Sequence, residues 1–484
     1  MSKTIFELSV PGRKSITLPP RDPDIPLNEI IPQELLREKP ARIPELSEID
    51  VMRHFIPLSQ KNHCIEKGLY PLGSCTMKYN PKLHESLVRY PSFQNLHPLQ
   101  PESTLQGTLQ ILYELQNDLA EISGLDKVSL QPAAGAQGEF TGIRIIFAYH
   151  RAKGNTHKNK IIIPDSAHGT NPASCALVGY EVVELKSDSR GRCDLAHLKS
   201  IVNENTAGFM LTNPNTLGLF EDQIEEIASI IHSVDGLMYL DGANLNALMG
   251  LVKPGEIGFD LMHFNLHKTF ATPHGGGGPG SGPVGVIAKL APFLPVPLIG
   301  KNEDGYFFDY SHKQSSIGKV HTFYGNVAVM LRAYFYIRTL GAEGLRQVAE
   351  NAIINANYLM ALIKDYYHIQ YPDYCMHEFV ADSTWQKKEY GVSTLDIAKR
   401  LLDKGFHAPT VYFPLIVPEA MMIEPTETES KDSLDAFASA MIEIAQECKE
   451  NPELLHSAPL TTPVRRVDDV RAVKMLDTSF PLED

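Results

Sequence analysis

Between residues 103 and 124 the apolar positions follow the period of an α-helix. Ser103 and Gln106 have the spacing of a capping box, which predicts where the helix begins, and Gly124 predicts where it ends. The apolar residues between these signals recur three or four positions apart: Leu105, Leu109, Leu112, Leu115, Leu119 and Ile122. The pattern therefore predicts one amphipathic helix over this segment.

After residue 124, helical segments alternate with short apolar runs of strand length. The predicted helices cover 138–152, 195–202 and 224–232. The predicted strands cover 160–163, 180–185, 208–212, 237–240 and 259–264. Strands that alternate with helices in this way are typical of βαβ crossovers. The sequence therefore predicts an α/β fold with a mostly parallel sheet.

The segments on either side of this region have different patterns. Residues 1–101 contain 14 of the 34 prolines, and we predict an extended arm there because proline removes amide donors and fixes φ. The apolar content of this segment favours an arm packed on the body or on a neighbouring subunit over a disordered tail. Residues 102–325 form the predicted large domain. Residues 326–484 form a smaller α+β domain, with predicted helices at 327–340, 345–363 and 435–448 and strand-like pieces at 368–371 and 412–416.

Composition and charge exclude several classes of protein. A 484-residue chain with 43% hydrophobic and 21% charged residues has enough apolar material for a large core. The formal net charge of −14 argues against nucleic acid or an anionic membrane as the main partner. The chain has six scattered cysteines without a CxxC pair, no signal-peptide pattern and no apolar run of membrane-spanning length. We therefore expect a reduced, cytoplasmic protein.

Polar residues follow four of the predicted strands directly, in the segments 165–169, 213–218, 241–244 and 267–270. Ligands of parallel sheets bind beyond the carboxyl ends of the strands, so these segments are expected to line one site. Residues 274–286 contain seven glycines. Because apolar structure flanks this run, we interpret it as backbone that approaches a ligand closely and not as a flexible linker.

Lys268 and Asp241 are the first candidates for chemistry. A lone lysine is usually a surface residue, but Lys268 has apolar and aromatic neighbours, and a lysine in such surroundings can act as a Schiff-base amine. Asp241 would be a buried carboxylate at a strand tip or, alternatively, a cap of the following turn. His168, in the loop after an earlier strand, is a third candidate, although a single histidine is more often structural.

A predicted helix start offers a phosphate site, because free amides and the helix dipole favour anions there. The residues concerned are Ala134, Gly135 and Ala136. The alternative is a simple glycine-rich helix start. The sequence lacks a Walker A loop, a G-x-S-x-G elbow and an H-E-x-x-H motif, so nucleotide, serine hydrolase and zinc chemistry are disfavoured and no metal site is predicted.

Pyridoxal phosphate fits all of these candidates together. The helix-start amides would bind its phosphate, and Asp241 would keep its ring nitrogen protonated. His168 would stack on the ring, Asn215 or Thr216 would reach the ring hydroxyl, and Lys268 would form the Schiff base. The residues by themselves indicate chemistry at the α-carbon of an amino acid.

Several longer motifs resemble one known family. The segments 241–247 (DGANLNA) and 263–270 (HFNLHKTF) are similar to the P protein of the glycine cleavage system. The segments 70–81 (YPLGSCTMKYNP), 167–173 (AHGTNPA) and 423–430 (IEPTETES) look like the same family. The resemblance covers nearly the whole chain, and its length matches the second (β) subunit of the split, two-gene form.

This resemblance implies a type I, aminotransferase-like fold with pyridoxal phosphate. It implies the activity of a glycine dehydrogenase that decarboxylates glycine and transfers the aminomethyl group to the lipoyl arm of H protein. It also implies an α2β2 assembly with a paralogous first subunit. From the net charge and the lack of a membrane-length apolar run we expect no nucleic-acid or membrane partner. Thr322 is a further candidate for the phosphate, either across a subunit interface or as part of a plain turn. The residue that holds the substrate carboxylate stays open, with His97, Arg332 and His377 as candidates.

Two other readings stay open at this point. The first keeps the cofactor but changes the reaction to that of an aminotransferase or a lyase of the cysteine-desulfurase kind. The second is a non-catalytic subunit, which the presence of Asp241 and Lys268 disfavours.

Overall fold

The computed structural model of the protein describes residues 3–39, 41–275 and 280–478. Four residues of the predicted glycine-rich segment, 276–279, lie outside the described residues. The chain forms two compact units, Met1–Lys67 and Gly68–Asp484. The first unit contains α1 (Leu27–Ile30) and α2 (Glu48–Ser59). The division into an arm and two domains stays a prediction.

The second unit is built around one large sheet. Its strands are β1 (Lys127–Ser129), β2 (Lys160–Pro164), β3 (Glu181–Leu185), β4 (Thr206–Thr212), β5 (Leu237–Gly242), β6 (Leu261–Phe264) and β7 (Val284–Val286). Within the described residues these seven strands pair in the order β1-β7-β6-β5-β4-β2-β3. The pairs β2–β3, β2–β4, β4–β5 and β5–β6 are parallel, and β7 runs antiparallel to both of its neighbours. The predicted α/β fold with a mostly parallel sheet is confirmed.

Helices cover both faces of this sheet. Up to β6 and just after it, the helices along the chain are α3 (Lys82–Val88), α4 (Pro91–Gln94), α5 (Gln106–Ser123), α6 (Gly135–Ala152), α7 (Thr170–Val178), α8 (Leu195–Ile201), α9 (Ile224–Ser233) and α10 (Leu266–Thr269). In β4, Phe209 and Leu211 pack in the hydrophobic cluster that includes α5 and α9, whereas Met210 packs in the cluster with α6. This alternation buries the strand on both faces, which explains why its sequence is a continuous apolar run.

The C-terminal part follows the hairpin of β8 (Leu298–Asn302) and β9 (Gly305–Asp309). It contains α11 (Val327–Ile363), β10 (Phe379–Asp382), α12 (Thr384–Tyr390), α13 (Thr394–Asp403), β11 (Thr410–Val411), β12 (Ala420–Ile423), α14 (Lys431–Glu450), α15 (Pro452–Ser457) and α16 (Asp469–Lys474). Strands β10, β12 and β11 form an antiparallel sheet in that order. A second hydrophobic core joins this sheet to α11 and α14, as expected of an α+β arrangement.

The structure corrects three predictions of local structure. Ser103 is not a helix cap: α5 begins at Gln106, whose side chain binds the carbonyls of Glu102 and Tyr306. The piece at 368–371 makes only an isolated bridge between His368 and Asp382. The piece at 412–416 lies outside β11. At the helix start the contacts of Gln106 outweigh the capping pattern, and at the other two pieces a few apolar residues do not specify a strand.

Other predictions agree with the structure. The five strands predicted in the α/β region correspond to β2–β6, and the gap between the two helices predicted near residue 341 corresponds to a break at Gly341, where φ is 63°. Among the described residues, no helix combines the length and the apolarity that crossing a membrane requires.

Candidate active site

A cavity of about 210 Å³ lies at the carboxyl ends of β4, β5 and β6. Thr212 ends β4, Asp241 lies near the end of β5, and Asn265 follows β6; all three line the cavity. Parallel neighbours place these chain positions along one edge of the sheet, as the sequence predicted. The start of α6 and the loop after β2 complete this side of the cavity.

Asp241 is a buried carboxylate with a complete set of partners. Its Oδ2 accepts a hydrogen bond from Asn171 Nδ2 at 2.9 Å, and its Oδ1 accepts one from the Ala243 amide at 3.0 Å. His263 Nε2 lies 3.3 Å from Oδ1. Burial acts to raise the pKa of Asp241, but His263 and the two hydrogen bonds outweigh it and hold the pKa below its ordinary value. The side chain therefore carries a negative charge at neutral pH.

The first turn of α6 faces the same cavity with free amides. Gly135 and Ala136 line the cavity, Ala134 is the exposed N-cap, and no side chain of the described residues caps this turn. A Cβ on Gly135 would lie 2.4 Å from Asn265 Oδ1, so any other residue there would displace the Asn265 side chain. From the end of the glycine-rich segment, Gly282 packs under this turn, where a Cβ would lie 2.1 Å from the Ala134 carbonyl. The arrangement suits an anion at the helix N-terminus.

Lys268 and His168 reach the cavity from different loops. Lys268 lies in α10, and its Nζ donates a hydrogen bond to the Ser74 carbonyl at 2.7 Å. His168 follows β2, and its Nδ1 lies 2.8 Å from Thr170 Oγ1. Both side chains line the cavity together with Asp241. The structure thus gathers an amine, an imidazole and a carboxylate around one space.

Three other predicted residues have different environments. Thr216 is buried, lines the cavity and donates a hydrogen bond to the Ser166 carbonyl at 2.6 Å. Asn215 does not line it, because its side chain binds the Gly191 carbonyl and the Leu217 and Leu219 amides of its own neighbourhood. Thr322 is exposed and lies outside the described lining. Of the two alternatives for a ring hydroxyl, the geometry of a single chain favours Thr216.

A second group of side chains also borders this cavity, and of these the sequence analysis considered only His377, as one candidate for the substrate carboxylate. Ser74, His377 and Glu378 line it, and Glu424 lies within 4.8 Å of the last two through its carboxylate. Ser74 has φ = 61°, in the left-handed region, and its amide donates a hydrogen bond to Glu378 Oε2 at 2.7 Å. Two of these residues lie in the family-like motifs 70–81 and 423–430, which were the available signal for them.

Two buried histidines of the cavity lining, His267 and His377, and the neighbouring His274 are neutral at pH 7. Burial lowers the pKa of His377 to about 3, and the charge of Lys268 acts in the same direction. Burial and the neighbouring His274 lower the pKa of His267 to about 3. Burial, followed by Lys268, lowers the pKa of His274 to about 4. Their ring nitrogens can therefore act as donors or acceptors without adding positive charge.

Two sets of buried side chains also have the composition of metal ligands. Glu139, Asp241 and His263 form one set, and His377, Glu378 and Glu424 form the other. In each set the possible ligand atoms lie within 4.8 Å of one another. The prediction that the chain has no metal site stays a prediction.

Comparisons with known families agree with this geometry. A family model described as "Glycine cleavage system P-protein" matches residues 22–306, and one described as "Glycine dehydrogenase, C-terminal domain" matches residues 348–458. A protein of Caldanaerobacter subterraneus named "Probable glycine dehydrogenase (decarboxylating) subunit 2" is 58% identical, over 97% of each chain. A protein of Desulforamulus reducens with the same name is 57% identical, over 98% of each chain.

Solved structures share the fold at lower identity. A glycine decarboxylase (P-protein) of the glycine cleavage system, in inhibitor-bound form, has a TM-score of 0.72 and 23% identity and covers 86% of this chain and 94% of its own. A glutamate decarboxylase of Lactobacillus brevis has a TM-score of 0.65 and 14% identity and covers 86% of this chain and 96% of its own. These similarities show the type I fold, and the matched models and relatives show that the chain belongs to the glycine cleavage system P-protein family.

Proposed function

We propose that this protein is the glycine-decarboxylating subunit of a two-subunit P protein, which releases CO2 and passes the aminomethyl group to the lipoyl arm of H protein. One observation carries the proposal. In a chain of this family, the Lys268 amine, the Asp241 carboxylate and the free amides of α6 border one cavity. A non-catalytic subunit would have no need of these three groups together.

The residues of the cavity fit pyridoxal phosphate. The uncapped first turn of α6 suits its phosphate, and the buried Asn265 Oδ1 and Thr212 Oγ1 have no hydrogen-bond partner among the described residues, so they are available to a ligand. Asp241 supplies a fixed negative charge. When bound, the cofactor supplies an electron sink for the pair of electrons that remains on the substrate α-carbon after CO2 leaves.

The chain's own residues have separate tasks in this proposal. Lys268 would hold the cofactor aldehyde, and the Ser74 carbonyl positions its Nζ by accepting a hydrogen bond. Asp241 would keep a proton on the ring nitrogen, because its lowered pKa leaves it charged near neutral pH. His168 would cover the ring, and Thr216 would serve the ring hydroxyl. Thr322 would reach the phosphate of another subunit's site.

The partners belong to the same proposal. The relatives are named "subunit 2", which supports assembly with a paralogous first subunit, and we infer an α2β2 heterotetramer. Glycine would be the substrate and the lipoylated H protein the acceptor. We place the assembled enzyme in the cytoplasm, where the scattered free cysteines stay reduced.

Carboxyl exchange tests this function directly. The chain is combined with its partner subunit, pyridoxal phosphate, glycine, H protein and labelled bicarbonate, and the label in the glycine carboxyl group is measured. We expect incorporation that depends on H protein. Incorporation should be lost in Lys268→Ala, together with the absorption of the lysine-bound cofactor, and retained in the exposed control Lys199→Ala. Absence of exchange in the wild type, with transamination or sulfur release instead, would contradict the proposal.

A further inference from the structure

His377 and Glu378 supply polar groups at the cavity that the roles above do not use. His377 is 2% exposed, and neither ring nitrogen has a hydrogen-bond partner among the described residues. Its Nε2 lies 3.6 Å from Glu378 Oε1. Buried polar atoms without partners are rare and often mark a place where a ligand binds. Here they line the cavity that holds Lys268.

Ser74 connects this pair to the reacting amine. Its amide donates to Glu378, and its carbonyl accepts from Lys268 Nζ, so a single residue separates the two side chains. If the proposed function is correct, the amino group of the substrate must reach Lys268. The substrate carboxyl carbon is only two bonds from that nitrogen. The substrate carboxylate must therefore bind close to Lys268, where His377 and Glu378 also line the cavity.

The pair is able to donate hydrogen bonds at neutral pH. Burial, and then the neighbouring Glu424 carboxylate, raise the pKa of Glu378 to about 8. Burial also raises the pKa of Glu424 to about 7, although hydrogen bonds from Thr76 and Asn244 oppose the change. Two carboxyl groups this close retain a proton between them, and Glu424, with more donors around it, is the better site for the charge. Glu378 is then a neutral acid beside a neutral imidazole.

Other candidates for the substrate carboxylate are engaged or distant. Among the described residues that line the cavity, none is an arginine. Arg332 makes a two-pronged ion pair with Glu85, at 2.7 and 2.8 Å. His97 is exposed and outside the described lining.

We propose that His377 and Glu378 together bind the α-carboxylate of the amino acid substrate; this inference rests on the proposed function. Neutral donors suit a decarboxylation. The negative charge of the carboxylate disappears as CO2 leaves, so a guanidinium would stabilise the bound substrate more than the transition state. A neutral pair binds the carboxylate with a smaller penalty on its departure.

A comparison of two ligands tests the subsite. Glycine and methylamine share the amino group, but only glycine has a carboxylate. In the assembled holoenzyme, binding of each is measured from the change in cofactor absorption and from calorimetry. We expect His377→Phe to weaken glycine binding about tenfold or more and to leave methylamine binding within about twofold, since a hydrogen bond to a charged group contributes about 1.5–3 kcal/mol.

A matched control removes another buried imidazole. His84 is 2% exposed and lies in α3, outside the cavity lining, so His84→Phe should change neither affinity. An equal loss of glycine and methylamine in His377→Phe would overturn the subsite. So would glycine binding that requires an added divalent cation and disappears with a chelator, because the cluster would then be a metal site.

Glu378→Gln gives a second, independent test. Glutamine keeps an N–H donor but cannot ionise, so we expect glycine to bind about as tightly as in the wild type near pH 7. The groups that face Glu378 are Glu424, His377, Lys268 and the Cys75 thiol, whose pKa is raised by burial. As the pH rises through about 8, wild-type Glu378 loses its proton and repels the carboxylate, so the glycine affinity should fall; in Glu378→Gln it should fall less.

The tests of the subsite and of the function give separable outcomes. If the pH dependence of glycine affinity is the same in Glu378→Gln and the wild type, the subsite is wrong even when carboxyl exchange occurs. If the wild type binds glycine selectively through His377 but shows no exchange, the subsite stands and the proposed reaction is wrong.

Discussion

Two buried polar clusters in this protein lie against the same three chain segments, but among the described residues the polar groups of one cluster have their hydrogen-bond partners and some of those of the other do not. The structural cluster consists of Lys78, Asn246, Tyr336 and Glu427. The active-site cluster consists of Lys268, His377, Glu378 and Glu424. Residues 74–78, 244–246 and 424–427 contribute to the surroundings of both, two or three positions apart.

Every charge of the structural cluster has partners. Lys78 Nζ donates to Glu427 Oε1 and Asn246 Oδ1, each at 2.8 Å, and to the Tyr336 hydroxyl at 3.1 Å. Asn246 also donates to the second carboxylate oxygen of Glu427 at 2.9 Å. Burial acts to lower the pKa of Lys78, but Glu427 and Tyr336 outweigh it and raise the pKa. The ammonium group therefore stays charged, with all three of its protons used.

The active-site cluster is incomplete by comparison. It brings two buried carboxyl groups together, and the neighbouring imidazole has no partner among the described residues. The same depth of burial thus has opposite consequences. In the structural cluster all hydrogen bonds are made, and burial fixes the 74–78 loop to the C-terminal part. In the active-site cluster some polar groups lack partners within the described part of the chain, so a bound ligand can supply the missing hydrogen bonds.

The largest effect is expected for Lys268→Ala, which tests whether the active-site cluster can lose its function without its fold. Loss of a covalent lysine should lower the rate of glycine decarboxylation about ten-thousandfold or more. The free energy of unfolding of the cofactor-free protein should change by only about 1 kcal/mol, because one partly buried hydrogen bond is lost. Steady-state kinetics and urea denaturation measure the two effects. A large destabilisation would show that the active-site cluster, like the structural cluster, is needed for the stability of the fold.

A smaller effect, on stability instead of rate, is expected for Lys78→Met in the structural cluster. The change leaves Glu427 and Asn246 buried without their cation, and breaking a buried ion pair costs about 3–5 kcal/mol. Urea denaturation of the cofactor-free protein measures this loss. The exposed pair of Lys199 and Glu226 supplies the control, since Lys199→Met should change stability by less than about 1 kcal/mol. A Lys78→Met protein as stable as the control would contradict the assignment.

The smallest effect is expected for the stability of Glu378→Gln, and it should have the opposite sign at high pH. The folded state keeps the Glu378 proton up to about pH 8, whereas an unfolded glutamate loses its proton near about pH 4.3. Between these values the folded state binds more protons, so this residue makes stability fall as the pH rises. At pH 9 the variant should be more stable than the wild type by about 1 kcal/mol or more. Equal pH dependence of unfolding in both proteins would contradict the prediction.

The part of the site that follows the strands of the large sheet could be predicted from the local sequence pattern. Asp241, Lys268 and His168 follow apolar runs of strand length, and parallel strands bring their carboxyl ends to one edge. The choice between Thr216 and Asn215 could not be made in the same way. Both follow β4, but in the folded chain the Asn215 side chain donates to the Gly191 carbonyl away from the cavity, whereas Thr216 donates to the Ser166 carbonyl and lines the cavity. This difference depends on where the fold places Gly191 and Ser166.

The sequence by itself determined the α/β fold, the family and the polar loops at one edge of the sheet, because these depend on periodicity and on motifs that are continuous in the chain. Only the tertiary structure decided which buried polar groups have hydrogen-bond or ion-pair partners. Ser74, His377 and Glu424 come together across some 350 residues of sequence, and the same folding that unites them removes the water around them. Desolvation and the spacing of the neighbouring charges set their protonation, and neither quantity exists before the chain has folded.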